Sequence, residues 1–223
     1  MFGQFYNKNL RKLVVGFGSL FNNIIIEHAN PDGGNPLQIR VPITYAPQEK
    51  FIRRLLEPSS ITDTTRIETQ LPKLSYIITS IAPDPSRRRN KFSDAGSLNQ
   101  VNGVCQPTGK TIFQEVPVNV NLSLYIYTRH RDDTLQIVEQ IIPYFNPEHF
   151  IQLDMNEVHS GVNIPIIMTG NSISERYDGD LSTRRINISS INFTAKSFIF
   201  GKVFGTTNIN STNVVNEIEF GLD

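Results

Sequence analysis

A single cysteine, Cys105, stands among the 223 residues, so no disulfide can form within the chain. With no visible partner for metal binding or nucleophilic attack, it is read as an inert thiol in a loop. Positive charge is not in excess: Lys+Arg is 21 and Asp+Glu is 21. That balance argues against a protein whose main task is neutralising phosphates, because such binders draw affinity from surplus positive charge, though it leaves room for a local basic patch. It suits a protein that assembles with others, since long-range self-repulsion is absent. No apolar run is long enough to span a bilayer. The opening stretch, MFGQFYNKNLRKLVVGFGSLF, is glycine-broken and lacks a small-residue cleavage site, so a reducing cytoplasm is the expected setting.

Catalytic signatures are equally scarce. His28, His149 and His159 are scattered and have no consistent acid or nucleophile neighbour. The GKT at 109–111 follows Gly103 by one residue too many for a phosphate loop, and no apolar strand precedes it. DGDLS at 178–182 lacks the later ligands of a calcium loop and reads as a hairpin turn.

What is present is pattern. Hydrophobic content of 39% with 19% charged residues is ordinary for a folded chain. From Phe5 onward, Leu10, Leu13, Val14, Phe17, Leu20 and Phe21 recur at helical spacings. Gly16 and Gly18 weaken that helix by about 1 kcal/mol each relative to alanine, unless a close contact uses the missing side chain. NNIIIEH reads as a short strand entering a turn, NPDGGNP. Residues 37–45 alternate as one strand, with Pro42 at an edge or bulge. Pro47 opens a helix faced by Phe51, Ile52, Leu55 and Leu56 and ended by Pro58. Strands follow at 66–81, interrupted by Pro72, and at 116–128, where Val118, Val120, Leu122, Leu124 and Ile126 alternate cleanly. Further strands lie at 164–175 and 185–200, and VVNEIEFGL is a last candidate. A change of apolar phase between Ile188 and Ile191 predicts a bulge. Residues 83–110 are polar throughout and read as a long loop carrying the run RRRNK. The expected fold is therefore α+β: one domain over 1–223, mainly antiparallel sheet flanked by two or three helices, with a long polar loop at about 83–110.

The segment RHRDD at 129–133 joins a strand to a helix. Asp132 and Asp133 are read as helix N-cap residues, accepting unpaired backbone N–H groups and complementing the helix dipole. Leu135, Ile137, Val138, Ile141 and Ile142 form an apolar face broad enough for contact beyond the chain's own sheet. No HxH or HExxH pattern accompanies His130 as a metal motif would. No catalytic, metal or cofactor residue is assigned. The candidate partner or subunit interface comprises Arg87, Arg88, Arg89, Lys91, Arg129, His130, Arg131, Ile137 and Ile141.

Several stretches together resemble one family. MFGQFYN, IRVPITYAPQEKF at 39–51, IETQLPKL at 67–74, YTRHRDDTLQIVEQIIPYFNP at 127–147 and DGDLSTRRI at 178–186 occur in the order found in tail sheath stabilisers, the tail completion proteins of contractile-tailed bacteriophages. Residues 83–110 depart from that pattern. The resemblance implies a tail-terminator-like fold and a structural virion protein without cofactor or catalysis. It further implies a hexameric ring at the neck-proximal end of the tail, built in the host cytoplasm. Its implied partners are the tail sheath protein, the tube terminator and neck proteins, with DNA passing through and no membrane contact. A head–tail connector or tube-terminator ring is the alternative. A DNA-binding or DNA-processing protein is a distant one, resting on RRRNK and the Asp-rich turns.

Overall fold

The computed structural model describes residues 6–30, 34–50, 71–89, 94–101, 104–113, 115–155, 161–176, 186–201 and 203–205, giving backbone alone within 94–113, 174–176 and 203–205. Helix α1 (Asn9–Leu20) buries Leu13 and Phe17, with Phe21 just beyond its end. The Phe17 ring lies 5.5 Å from Tyr76 and 5.3 Å from Phe193, so the helix is pinned to the main sheet by aromatic contacts. Burying each such side chain contributes about 1.5–3 kcal/mol, which outweighs the helix penalty of a glycine. The two glycines are themselves contact points. A β-carbon on Gly18 would come within 2.3 Å of the Tyr76 hydroxyl oxygen, and one on Gly16 within 3.1 Å of a Leu153 methyl.

Strands β1 (Ile25–His28) and β2 (Leu37–Arg40) form the antiparallel hairpin that the turn composition predicts. The single strand expected over 37–45 is corrected, because the chain changes sheet at Val41–Pro42. β3 (Ile43–Tyr45) instead pairs in parallel with β4 (Lys73–Pro83). Val41 donates its N–H to Ile24 at 2.9 Å, while the Pro42 carbonyl accepts from Leu74 at 2.9 Å. Proline lacks the donor a continuing ladder would use, so the crossing costs no hydrogen bond at Pro42. The predicted helix face at Phe51–Leu56, Phe5, the DGDLS turn, His159 and VVNEIEFGL lie outside the described residues.

The remaining strands of the main sheet are β7 (Val116–Thr128), β8 (His149–Leu153), β9 (Val162–Arg176) and β10 (Ile186–Ile199). The order is β3-β4-β7-β10-β9-β8, antiparallel except at β3–β4. The alternating residues Val118 to Ile126 of β7 are buried in the core shared with α1 and α2 (Arg131–Ile141). The bulge expected between Ile188 and Ile191 is absent, since β10 pairs with β7 without a break. Ile188 packs with Tyr127 in a small cluster apart from the main core, whereas Ile191, Phe193 and Ala195 join the main core. The apolar phase changes because the side chains change face, not because a residue is inserted. The bulges lie in other strands, at Thr169 of β9 and Thr79 of β4.

The long loop expected at about 83–110 is also corrected. Beyond a short 3-10 turn at Pro85–Arg87, the chain forms β5 (Asp94–Val101) and β6 (Val104–Phe113), an antiparallel hairpin joined by β11 (Val203–Gly205). β5 follows β4, β6 precedes β7 and β11 follows β10, so the small sheet repeats the order of the central strands. The polar composition of 94–113 leaves no apolar period to read as a strand. The available signal was Asn102-Gly103, the residues between paired Val101 and Val104, a composition that favours a two-residue hairpin connection.

Candidate assembly surface

The strand–helix junction at RHRDD is built by contacts between residues far apart in sequence. α2 begins at Arg131, and the N-cap position is His130, whose side chain makes no cap hydrogen bond. The N-cap assignment for Asp132 and Asp133 is therefore corrected: both sit inside the first turn, where a carboxylate complements the helix dipole. Asp133 is buried and its Oδ1 lies 2.8 Å from Nε2 of His28 on β1. Asp132 Oδ2 accepts from Nε2 of Gln136 at 3.0 Å. A hydroxyl contact of 2.6 Å between Thr128 and Thr134, both buried, fixes the end of β7 to the helix start.

Two glutamines complete the junction. The Gln136 amide accepts from the Glu27 N–H at 3.0 Å and donates to the Glu27 carbonyl at 3.1 Å. Gln140 donates to the Ile25 carbonyl at 2.7 Å. These side chains do for the outer edge of β1 what a neighbouring strand would do, leaving less of that edge to pair elsewhere. An open groove of about 780 Å³ runs along this seam between the hairpin and the helix, lined in part by Glu27, His28, Gln136 and Glu139.

The candidate interface residues separate into groups. Arg129, His130 and Arg131 are exposed, and the His130 ring lies edge-on to His28 at 6.4 Å. Ile137 and Ile141 are buried in the core, so their assignment to a partner surface is corrected. They lie on the face of α2 turned to the sheet; the exposed apolar side chains are Leu135, 43% exposed, and Ile142, 39% exposed, seven positions later. Tyr144 and Phe150 add further exposed aromatic surface.

Arg87 is likewise a structural residue. Its Nε donates to Asp84 at 2.7 Å, its Nη2 to Asn119 Oδ1 at 2.9 Å and to the Val118 carbonyl at 3.3 Å. The guanidinium carbon sits 5.3 Å from the Phe198 ring centre. Asp84 also accepts from the Ser86 hydroxyl and backbone N–H, at 2.6 and 3.0 Å. Hydrogen bonds from Ser86, then from Arg87, hold its carboxyl well below the usual carboxylate range. Arg88 is exposed, and Arg89 reaches Glu115 only at 4.0 Å. Lys91 lies outside the described residues. Burial raises the hydroxyl of Tyr76 above its ordinary value, and burial pushes that of Tyr127 up to about 12. Among the described residues, no group of three or more His, Cys, Asp or Glu side chains is placed to hold a metal ion. What the surface offers is apolar, aromatic and cationic contact.

Comparison with known proteins gives this surface its context. The family model described as T4-like virus Myoviridae tail sheath stabiliser matches residues 4–220. The tail completion protein gp15 of Enterobacteria phage T4 is 35% identical over 200 residues, covering 85% of this chain and 70% of that one. With nearly the whole chain matched, it belongs to the tail sheath stabiliser family of T4-like myoviruses.

Proposed function

We propose that this chain is a non-enzymatic structural protein that forms a ring, most simply a hexamer, on the completed tail. It caps the sheath and tube end, stabilises the sheath and presents the surface on which the neck of the head docks. DNA passes through the ring without sequence-specific binding. The ring sits at the neck-proximal end of the tail and is assembled in the host cytoplasm. The observation that carries this reading is the family match over residues 4–220. The exposed Leu135 and Ile142 and the cationic Arg129–Arg131 stretch supply surface for such contacts. The test is native mass measurement of the full chain, alone and mixed with tail sheath protein. Ring-sized oligomers carrying sheath subunits are the expected result. A chain that stays monomeric at high concentration with sheath protein present overturns the reading, and preference for tube or portal subunits replaces it with a tube-terminator or connector role.

A further inference from the structure

The main sheet has two half-open edges at opposite corners. β3 covers β4 only at Leu74–Tyr76, and β8 covers β9 only at Val162–Ile166. Among the described residues, no backbone–backbone hydrogen bond leaves the sheet from Thr79–Pro83 of β4 or from Thr169–Ile173 of β9. Both stretches are exposed apart from half-buried Gly170, and neither contains a charged residue, the usual device for blunting an edge. Each carries another such device in its bulge, at Thr79 and at Thr169, and the β4 stretch also ends on Pro83, which has no N–H to offer a partner strand. Beyond the bulges, each presents one large exposed apolar side chain: Ile81, 44% exposed, and Ile173, 46% exposed.

The two corners fit each other. Three antiparallel steps separate β4 from β9, so the two strands run in opposite directions. Ile173 lies in the row of Ser189, Ile126 and Leu74, whereas Ile81 lies in the row of Val120, Ala195 and Ile166. A copy displaced sideways and along the strands therefore brings its open β4 stretch antiparallel against the open β9 stretch of its neighbour. The same displacement keeps β3 clear of β8 and brings it up to the Glu175–Arg176 end of the neighbouring β9. Staggered strands of this kind are what a closing sheet requires.

We propose that copies of this chain join head to tail by sheet extension, Thr169–Ile173 of one copy pairing with Thr79–Ala82 of the next. The occupant of each edge is the opposite edge of a second copy. Such a heterologous contact closes into a ring when the rotation between copies allows it. This rests on the ring reading above but has its own failure mode. The full-length variants Ile81→Lys and Ile173→Lys each spoil one edge and leave the other intact. Each should remain folded, with thermal unfolding close to that of the parent, and self-associate at least tenfold more weakly. Mixed in equal amounts, the two should form a dimer and stop there, because only one good pair of edges remains. Self-association of Ile81→Lys at parental strength overturns the proposal, since it shows β9 pairing with itself or another surface at work. Should either variant fail to fold, amide hydrogen exchange on the parent decides. Protection of Thr79–Ala82 and Thr169–Ile173 on assembly supports the proposal, and unchanged exchange in a proven oligomer overturns it while leaving the ring intact. A parent that never associates removes both.

Discussion

At Gly18 the absence of a side chain lets the Tyr76 hydroxyl donate to the Val14 carbonyl at 3.0 Å across the helix surface. Gly18→Ala places a methyl group where the tyrosine oxygen now lies. Tyr76 is buried and cannot swing clear, so the variant should lose about 1–3 kcal/mol in urea unfolding, the usual cost of overpacking. Asp84 makes a pH prediction. Its folded carboxyl titrates below the ordinary value of 3.8, so its stabilising effect is complete above that value. The effect is lost as pH falls through the lower folded value. Asp84→Asn should therefore be less stable than the parent at pH 7, and the gap should close as unfolding is followed into acid. Neither role was legible from single residues. In sequence Gly18 is a weak point in a helix, and its partner stands fifty-eight positions away. In sequence Arg87 looks like a surface cation, because nothing local reveals Asn119 and Phe198 beside it.

Among the elements, α2 was legible and its surface was not. Its apolar spacing fixes a helix, but a face built from Leu135, Ile137, Val138, Ile141 and Ile142 spans both the buried and exposed sides. The structure divides it, with Ile137, Val138 and Ile141 inside and Leu135 and Ile142 outside. Ile141→Asp should leave the chain unfolded or severely destabilised, because it buries a carboxylate without a partner. Ile142→Asp should stay within about 0.5 kcal/mol of the parent in stability, as surface changes usually do, and weaken any contact made there. Circular dichroism melts of the two variants separate the cases, and equal losses would contradict this division of the helix. Strands with clean alternation, such as β7, were legible for the same local reason. β5 and β6 were not, because polar residues on both faces leave no period to read, and a sequence does not show which strand will lie beside a weak one.

For the whole molecule, the α+β class with an antiparallel sheet followed from the strand patterns, while the arrangement of its parts rests on distant pairs. His28 and Asp133 are separated by 105 positions, and Gln140 reaches Ile25 across 115. No periodicity carries that information. The repeat of the strand order β4-β7-β10 as β5-β6-β11 in the small sheet has a mechanical consequence. β7 and β10 are paired from Val116–Ile199 to Thr128–Asn187, and the small sheet adjoins their Val116–Ile199 end. Load that enters on β7 at Val116 and leaves on β10 at Asn187 runs along the strands, so the cross-strand hydrogen bonds between them resist it together, in shear. Load that pulls β6 away from β11 meets them one after another, as a zip does. The chain should therefore resist load along its strands better than load across them, a difference that pulling the full chain along each direction would measure.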